Sequence, residues 1–356
     1  MTTAATRSDS RAVPRSVPRA VLVWLIAVAA VIFAMAVIGA ITRLTESGLS
    51  IMEWAPFTGW LPPVSDAEWQ RLFDLYLTIP EAQGQHAGIT LPEFQEIFWW
   101  EWLHRVWGRA IGLVFLLPFL WFLWRRQLPS WLKTHGWILF ALGALQGAVG
   151  WFMVASGFTE RDDVSQYRLV LHLGMALGIY AYILWLAFRL AWPRPLLPAD
   201  GRRLRRGTIH VLALLIVTLV SGGFVAGLNA GLVYNTYPLM DGRLVPEGYS
   251  QLSPWLANLF ENVTAVQFNH RLLTALTALG VVYLWIRSRR LREHRRPFDL
   301  LLLIVLLQFA LGIETLLHAV PVLLGALHQA GAILLLTQLL AALYLLGHER
   351  AAPERT

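Results

Sequence analysis

The chain reads as an all-α integral membrane protein, with eight transmembrane helices forming two tandem four-helix bundles related by a pseudo-twofold axis along the membrane normal. Three observations predict this. The 356 residues are 56% hydrophobic and 14% charged, and the mean hydropathy is +0.54, whereas soluble domains are about a quarter charged. Apolar runs long enough to cross a bilayer recur along the chain. The local sequence around two front-half histidines also returns around two in the back half.

The first 20 residues are polar, basic and Pro-containing, and read as a disordered cytoplasmic tail. The apolar run 21–41 then reaches about 30 Å as a helix, long enough to span and too long for a signal-peptide core. No A-x-A-like cleavage site follows it, so the run is read as a permanent helix. Further spans are predicted at 104–124, 135–155, 168–190, 208–229, 268–287, 298–318 and 324–346. Lys and Arg test that count. Of the 29, 21 fall in the N-tail, the 125–134, 189–207 and 287–297 loops and the C-tail, while the alternate loops hold only Arg43, Arg71, Arg161, Arg168 and Arg243. The positive-inside rule therefore places both termini in the cytoplasm, and an odd number of spans would scramble the alternation.

The N-terminal half covers 21–190 and includes a long outer segment, 42–103, rich in Trp, Pro and Glu. Short helices and turns over the outer membrane face are expected there. The C-terminal half covers 208–346, and 347–356 is a second cytoplasmic tail. Each half has an even number of spans, so the repeats are parallel rather than inverted. The net charge of +7 is distributed by membrane side rather than gathered on one face, which argues for lipid and against nucleic acid. With no cysteine, disulfides, thiolate zinc sites, iron–sulfur clusters and thioether-attached heme are excluded.

Four histidines carry the chemistry. His104, His172, His270 and His328 each stand at the outer end of a span running inward. EWLHRVWGRAIG (101–112) matches QFNHRLLTALTALG (267–280), and VLHLGMALG (170–178) matches ALHQAGAIL (326–334). A ring nitrogen inside a membrane helix is costly without a partner, and four at one depth point to a bound metal or cofactor. A lone histidine at a helix end is more often a cap; matched pairs are not. Two imidazoles in a four-helix bundle suit heme, whose porphyrin leaves two axial positions, better than zinc or copper, which want further close ligands. Arg105, Arg109 and Arg271 stand beside the histidines as candidate partners for heme propionates, or as residues snorkelling to headgroups. Helices three and seven share a further signature, a Leu-Gln pair with Gly four residues after the Gln, at 145–150 and 307–312.

Glu101 breaks the symmetry. It lies three residues before His104, where the back half has Gln267. An ionisable group at one site only suggests acid–base or charge-stabilising chemistry in front and a cofactor-holding or electron-passing role behind. Glu314 is a second membrane-embedded acid to which no catalysis is assigned.

Several stretches resemble the heme A synthase family over about residues 22–346. They are GAITRLTESGLSIMEWAPFTGWLPP (39–63), EWxxxFxxY (68–76), EFQEIFWWEWLHRVWGRAIG (93–112), YNTYPLMDG (234–242), FENVTAVQFNHR (260–271) and LLGALHQAGAILLL (323–336). The resemblance implies a multi-pass enzyme of the bacterial inner membrane that oxidises a ring methyl of heme O to the formyl of heme A, with water as oxygen source. It implies His104 and His172 at the substrate heme, His270 and His328 as ligands of a resident heme b, and Glu101 as the functional carboxylate. Heme O synthase and the cytochrome oxidase assembly machinery are the implied partners. Some members carry a cysteine pair in the first outer segment; this chain resembles the cysteine-free type. Two other readings fit four histidines: a diheme electron carrier linked to quinone, and a non-enzymatic heme-handling assembly factor. A carrier keeps both hemes through turnover, and a handling factor tolerates loss of the Glu101 charge.

Overall fold

The structure is a computed structural model that describes residues 17–55, 58–158, 163–192, 201–291 and 295–347. Nearly all of the first tail and of the last lies outside the described residues. Among those residues, eight helices are long and apolar enough to cross a membrane. They are α1 (Arg19–Leu44), α4 (Leu91–Trp124), α5 (Ser130–Val154), α6 (Gln166–Ala191), α7 (Gly201–Gly227), α8 (Val263–Ser288), α9 (Arg295–Leu317) and α10 (Val322–Leu345). Two short helices, α2 (Asp66–Tyr76) and α3 (Pro80–Gln83), lie in the outer segment, as its composition leads one to expect.

The largest departure from the sequence-based boundaries is α4, which begins at Leu91 rather than 104. Glu93 accepts hydrogen bonds from the Thr90 amide and hydroxyl at 2.8 and 2.7 Å, and Pro92 occupies the first turn. These are helix-start signals well before the apolar run. Glu101 is therefore helical and shares a face with His104 and Arg105, and His104 sits in the fourth turn rather than at the helix start. The other histidines lie about two turns inside α6, α8 and α10.

Each half closes on itself. α1 packs on α4 and α6, and α5 packs on the same two; α7 packs on α8 and α10, and α9 on the same two. The halves meet through α1–α10, α6–α7 and α6–α10. Trp24 stacks among Phe115, Phe119 and Phe122 and donates its indole N–H to the Val114 carbonyl at 3.1 Å. Trp107 returns the bond to Val31 at 2.8 Å. Burying an indole without such a partner would leave a polar group unpaid in hydrocarbon. At the outer side Arg43 joins the halves, reaching Asp163 at 2.6 Å, the Ala226 carbonyl at 3.1 Å and Asn229 at 3.0 Å.

The outer segment has its own apolar core of Leu49, Leu72, Tyr76, Ile79, Phe94, Phe98 and Val164. A polar knot is enclosed in it. The Tyr76 hydroxyl donates to Glu81 at 3.0 Å and lies 2.6 Å from His86 Nδ1, while His86 Nε2 lies 3.4 Å from Glu46. Burial pushes the Glu81 carboxyl up to about 8 and the Tyr76 phenol up as well. Hydrogen bonding to Glu46 raises His86, and the same contact lowers Glu46.

The sign of the pH dependence follows. Between the ordinary carboxylate value of 4.5 and about 8 the folded state holds a proton on Glu81 that the unfolded state has released. Stability of the outer segment therefore falls as pH rises through that window. His86 adds a loss of the same sign, and Glu46 titrates below it. Hydrogen exchange across 72–90 is expected to accelerate from pH 6 to pH 8.5 in the intact protein, with a shallower rise in Glu81→Gln. A profile identical in the two proteins would refute this.

Candidate functional site

Each of the four histidine rings is seated against a glycine of the preceding long helix. A Cβ built on Gly150 of α5 would lie 2.8 Å from His172 Cε1, one on Gly222 of α7 3.0 Å from His270 Cε1, and one on Gly312 of α9 2.9 Å from His328 Cε1. On Gly39 of α1 it would lie 3.3 Å from His104 Nε2. At Gly150 and Gly312 a side chain would force the ring to shift, and at Gly222 it would be tight, so glycine is what lets the helices approach. These glycines form a repeating set that sequence reasoning noticed only in part, through the Leu-Gln pairs of helices three and seven.

Those glutamines are the second matched element. Gln146 Nε2 lies 3.0 Å from the His172 carbonyl and 3.1 Å from its Nδ1; Gln308 Nε2 lies 2.9 Å from the His328 carbonyl and 3.0 Å from its Nδ1. One amide thus ties α5 to α6 and the other α9 to α10. The Leu-Gln repeat signals exactly where they sit along the chain, but not which ring they touch.

Glu101 and Gln267 occupy equivalent places and are equally enclosed, at 2% and 3% exposure. Glu101 Oε1 accepts from Arg105 Nε and Nη2 at 2.9 and 2.6 Å, and Oε2 accepts from the Ser50 hydroxyl at 2.8 Å and the Ile51 amide at 2.6 Å. Gln267 also pairs with an arginine four residues on, accepting from Arg271 Nη2 at 3.1 Å. Its Nε2, however, donates to the Ala230 carbonyl at 2.7 Å and to the Val233 carbonyl. The front loop offers donors and takes a carboxylate; the back loop offers acceptors and takes an amide. The Glu/Gln difference is therefore written into the loops as well as into the helices.

The three arginines hold those loops. Arg105 donates to the carbonyls of Ile51 and of Glu53, the latter at 2.7 Å. Arg271 donates to Tyr234 at 2.5 Å and Thr236 at 2.8 Å. Arg109 donates to Ala55 at 2.7 Å and lies 5.8 Å over the Trp60 ring. Glu314 is half exposed and lies 3.5 Å from His318, apart from the paired histidines.

The donor set can be tested against heme. Each half carries one matched pair of part-buried histidines, His104 with His172 and His270 with His328. Among the described residues no three His, Cys, Asp or Glu side chains gather to hold a bare ion. Pairs of imidazoles without a third ligand match a metal whose other ligands come from a macrocycle. The rings fit that group.

Comparison with known proteins agrees. Residues 22–340 match the COX15-CtaA family, described as cytochrome oxidase assembly protein. Proteins named heme A synthase are similar over most of their length. That of Rhodospirillum centenum is 52% identical over 333 residues, covering 92% of this chain and 89% of the relative. That of Rhodopseudomonas palustris (strain HaA2) is 51% identical over 343 residues, covering 94% and 92%. That of Nitrosospira multiformis is 46% identical over 329 residues, covering 90% and 92%.

Filling a glycine seat tests the geometry. Gly150→Val is expected to displace His172 and Gly312→Val to displace His328, each with loss of the bis-histidine spectrum of its own half while the other half keeps its own. Wild-type spectra in both variants would show that the seats are not needed.

Proposed function

The chain belongs to the COX15-CtaA family of cytochrome oxidase assembly proteins, and from that premise we propose that it is a heme A synthase, an oxidoreductase acting on heme O. Two matched pairs of part-buried histidines in a chain about half identical to heme A synthases carry the reading. We further assign His104 and His172 to the substrate heme O, and His270 and His328 to the iron of a resident heme b. The two halves are read as tandem bundles about an axis along the membrane normal, which the matched seats of their histidines support. The segregation of Lys and Arg supports a bacterial inner membrane location with cytoplasmic termini and sites near the periplasmic face. Heme O synthase and the oxidase assembly machinery are the partners this role calls for.

The net change at the substrate is conversion of a ring methyl to a formyl group. With water as the oxygen source, four electrons and four protons leave for each methyl converted. A resident heme, when bound, supplies a one-electron relay from the back half. The chain's own residues do the rest. His104 and His172 hold the macrocycle in register, and Gly39 and Gly150 set how closely the helix walls approach. Arg105, Arg109 and Arg271 would offer positive charge to the propionates of a bound heme, while their hydrogen bonds fix the loops.

Glu101 favours a charge-stabilising role over that of a base. A carboxylate has about four lone-pair sites, and Arg105, Ser50 and Ile51 together fill them. Such a group is held in place, its oxygens fully engaged, while positive charge develops nearby. Abstracting a proton would require it first to give up a donor.

Glu101→Gln is expected to retain the back-site heme but to lose heme A formation by two orders of magnitude or more, read by mass analysis of hemes extracted after incubation with heme O and an oxidant. Ser50→Ala, which loosens the loop but keeps the charge, should cost far less. Normal heme A output from Glu101→Gln would remove the residue from the mechanism. Separately, His270→Ala and His328→Ala should each abolish the low-spin b-type spectrum; an unchanged spectrum in either would refute the back-site assignment.

A further inference from the structure

The two halves differ at a second place, one shell behind the histidines. Ser221 precedes the Gly222 seat on α7, and its Oγ lies 2.8 Å from His270 Nδ1. The same hydroxyl donates its single proton to the Thr218 carbonyl at 2.7 Å. A hydroxyl whose proton is committed can only accept from the ring, so Nδ1 must carry the hydrogen. Nε2 is thereby left with a free lone pair, the form a metal needs.

Among the described residues the front half has nothing equivalent. The residue before the Gly39 seat on α1 is Ile38, an alkyl group with neither donor nor acceptor. The ring answers in its orientation. His172, His270 and His328 turn their Cε1 and Nδ1 edges to the glycine, whereas His104 turns Nε2 and Cδ2 to Gly39. Three of the four rings have a polar group at Nδ1, namely Gln146, Ser221 and Gln308. The glutamines are the same in both halves and cannot tell them apart. The Ser221/Ile38 pair can.

The geometry points to Ser221 as the positioning residue that makes the back heme resident, and to Ile38 as its deliberate omission at the exchanging site. A ligand whose tautomer and ring angle are fixed beforehand binds tightly and releases slowly. A histidine that must turn and choose its tautomer for each incoming heme holds less firmly, as a site that takes in heme O and gives up heme A requires. The inference rests on the assignment of the front pair to substrate and the back pair to resident heme.

The test measures heme loss rather than turnover. The full-length protein, as isolated with its heme, is mixed with excess apomyoglobin, and transfer is followed in the Soret band, with low-temperature EPR recording the bis-histidine signal beforehand. Changes in such outer-shell partners typically cost about 10–100-fold in metal affinity. Ser221→Ala is accordingly expected to speed transfer of the back heme by roughly tenfold or more and to broaden its EPR signal, with Ser221→Thr restoring both. Ile38→Ser, loaded with heme O, should slow loss from the front site. Wild-type transfer rates and an unchanged signal in Ser221→Ala would overturn the proposal. His270→Ala separates the two levels: if it keeps the back heme, the ligand assignment itself fails, whereas if it loses the heme while Ser221→Ala behaves as wild type, only the positioning role fails.

Discussion

An imidazole inside a membrane-spanning helix has to be surrounded, and the rest of this molecule is arranged around doing that four times. Hydrocarbon gives a ring nitrogen no partner, so neighbouring helices must come close enough to enclose it. Close approach is possible only where one wall lacks a side chain, which is why Gly39, Gly150, Gly222 and Gly312 stand opposite the rings. The helix pairs so formed, α1 with α4, α5 with α6, α7 with α8 and α9 with α10, are the ribs of the two halves. Their remaining faces are free to be broadly apolar, held by packing such as that of Trp24 among three phenylalanines.

Above the rings the problem changes from packing to charge. Arg105 and Arg271 each sit one residue after a histidine and each bind loop carbonyls, so each loop is anchored to the helix that carries that histidine. Only the front anchor passes through a carboxylate. Because Ser50 and Ile51 present donors where Ala230 and Val233 present acceptors, the two loops could not be exchanged without leaving a buried polar group facing its own kind. Where the front and back loops match in their arginine anchors, a few polar atoms give them different electrical characters.

Much of this was legible in the chain. Composition and alternating loop charge give the eight spans, because lipid and the positive-inside rule act on residue type alone. The histidine pairs and the Glu101/Gln267 contrast are visible because the repeat aligns them. What was not legible depends on three-dimensional neighbours. The start of α4 was placed late since its first three turns, 91–103, are amphiphilic rather than apolar and are announced only by the Thr90–Glu93 cap. The contact between Ser221 and His270 joins residues 49 apart, and nothing in either local sequence marks it. The same holds for the knot of Tyr76, Glu81, His86 and Glu46, whose members look like ordinary loop polars until the fold closes over them.

The early start of α4 has a mechanical consequence. From Leu91 to Leu103 the helix projects about 20 Å beyond the predicted span at 1.5 Å per residue, and it runs without a break into the turn bearing His104. A rod of that kind is a lever that carries His104. Its long arm is gripped by the aromatic core of the outer segment through Phe94 and Phe98. The outer segment and His104 therefore share one continuous helix, whereas His270 lies only seven residues into a helix that begins at Val263, an arm about half as long at ~1.5 Å per residue. The two sites thus differ in their handles as well as in their chemistry.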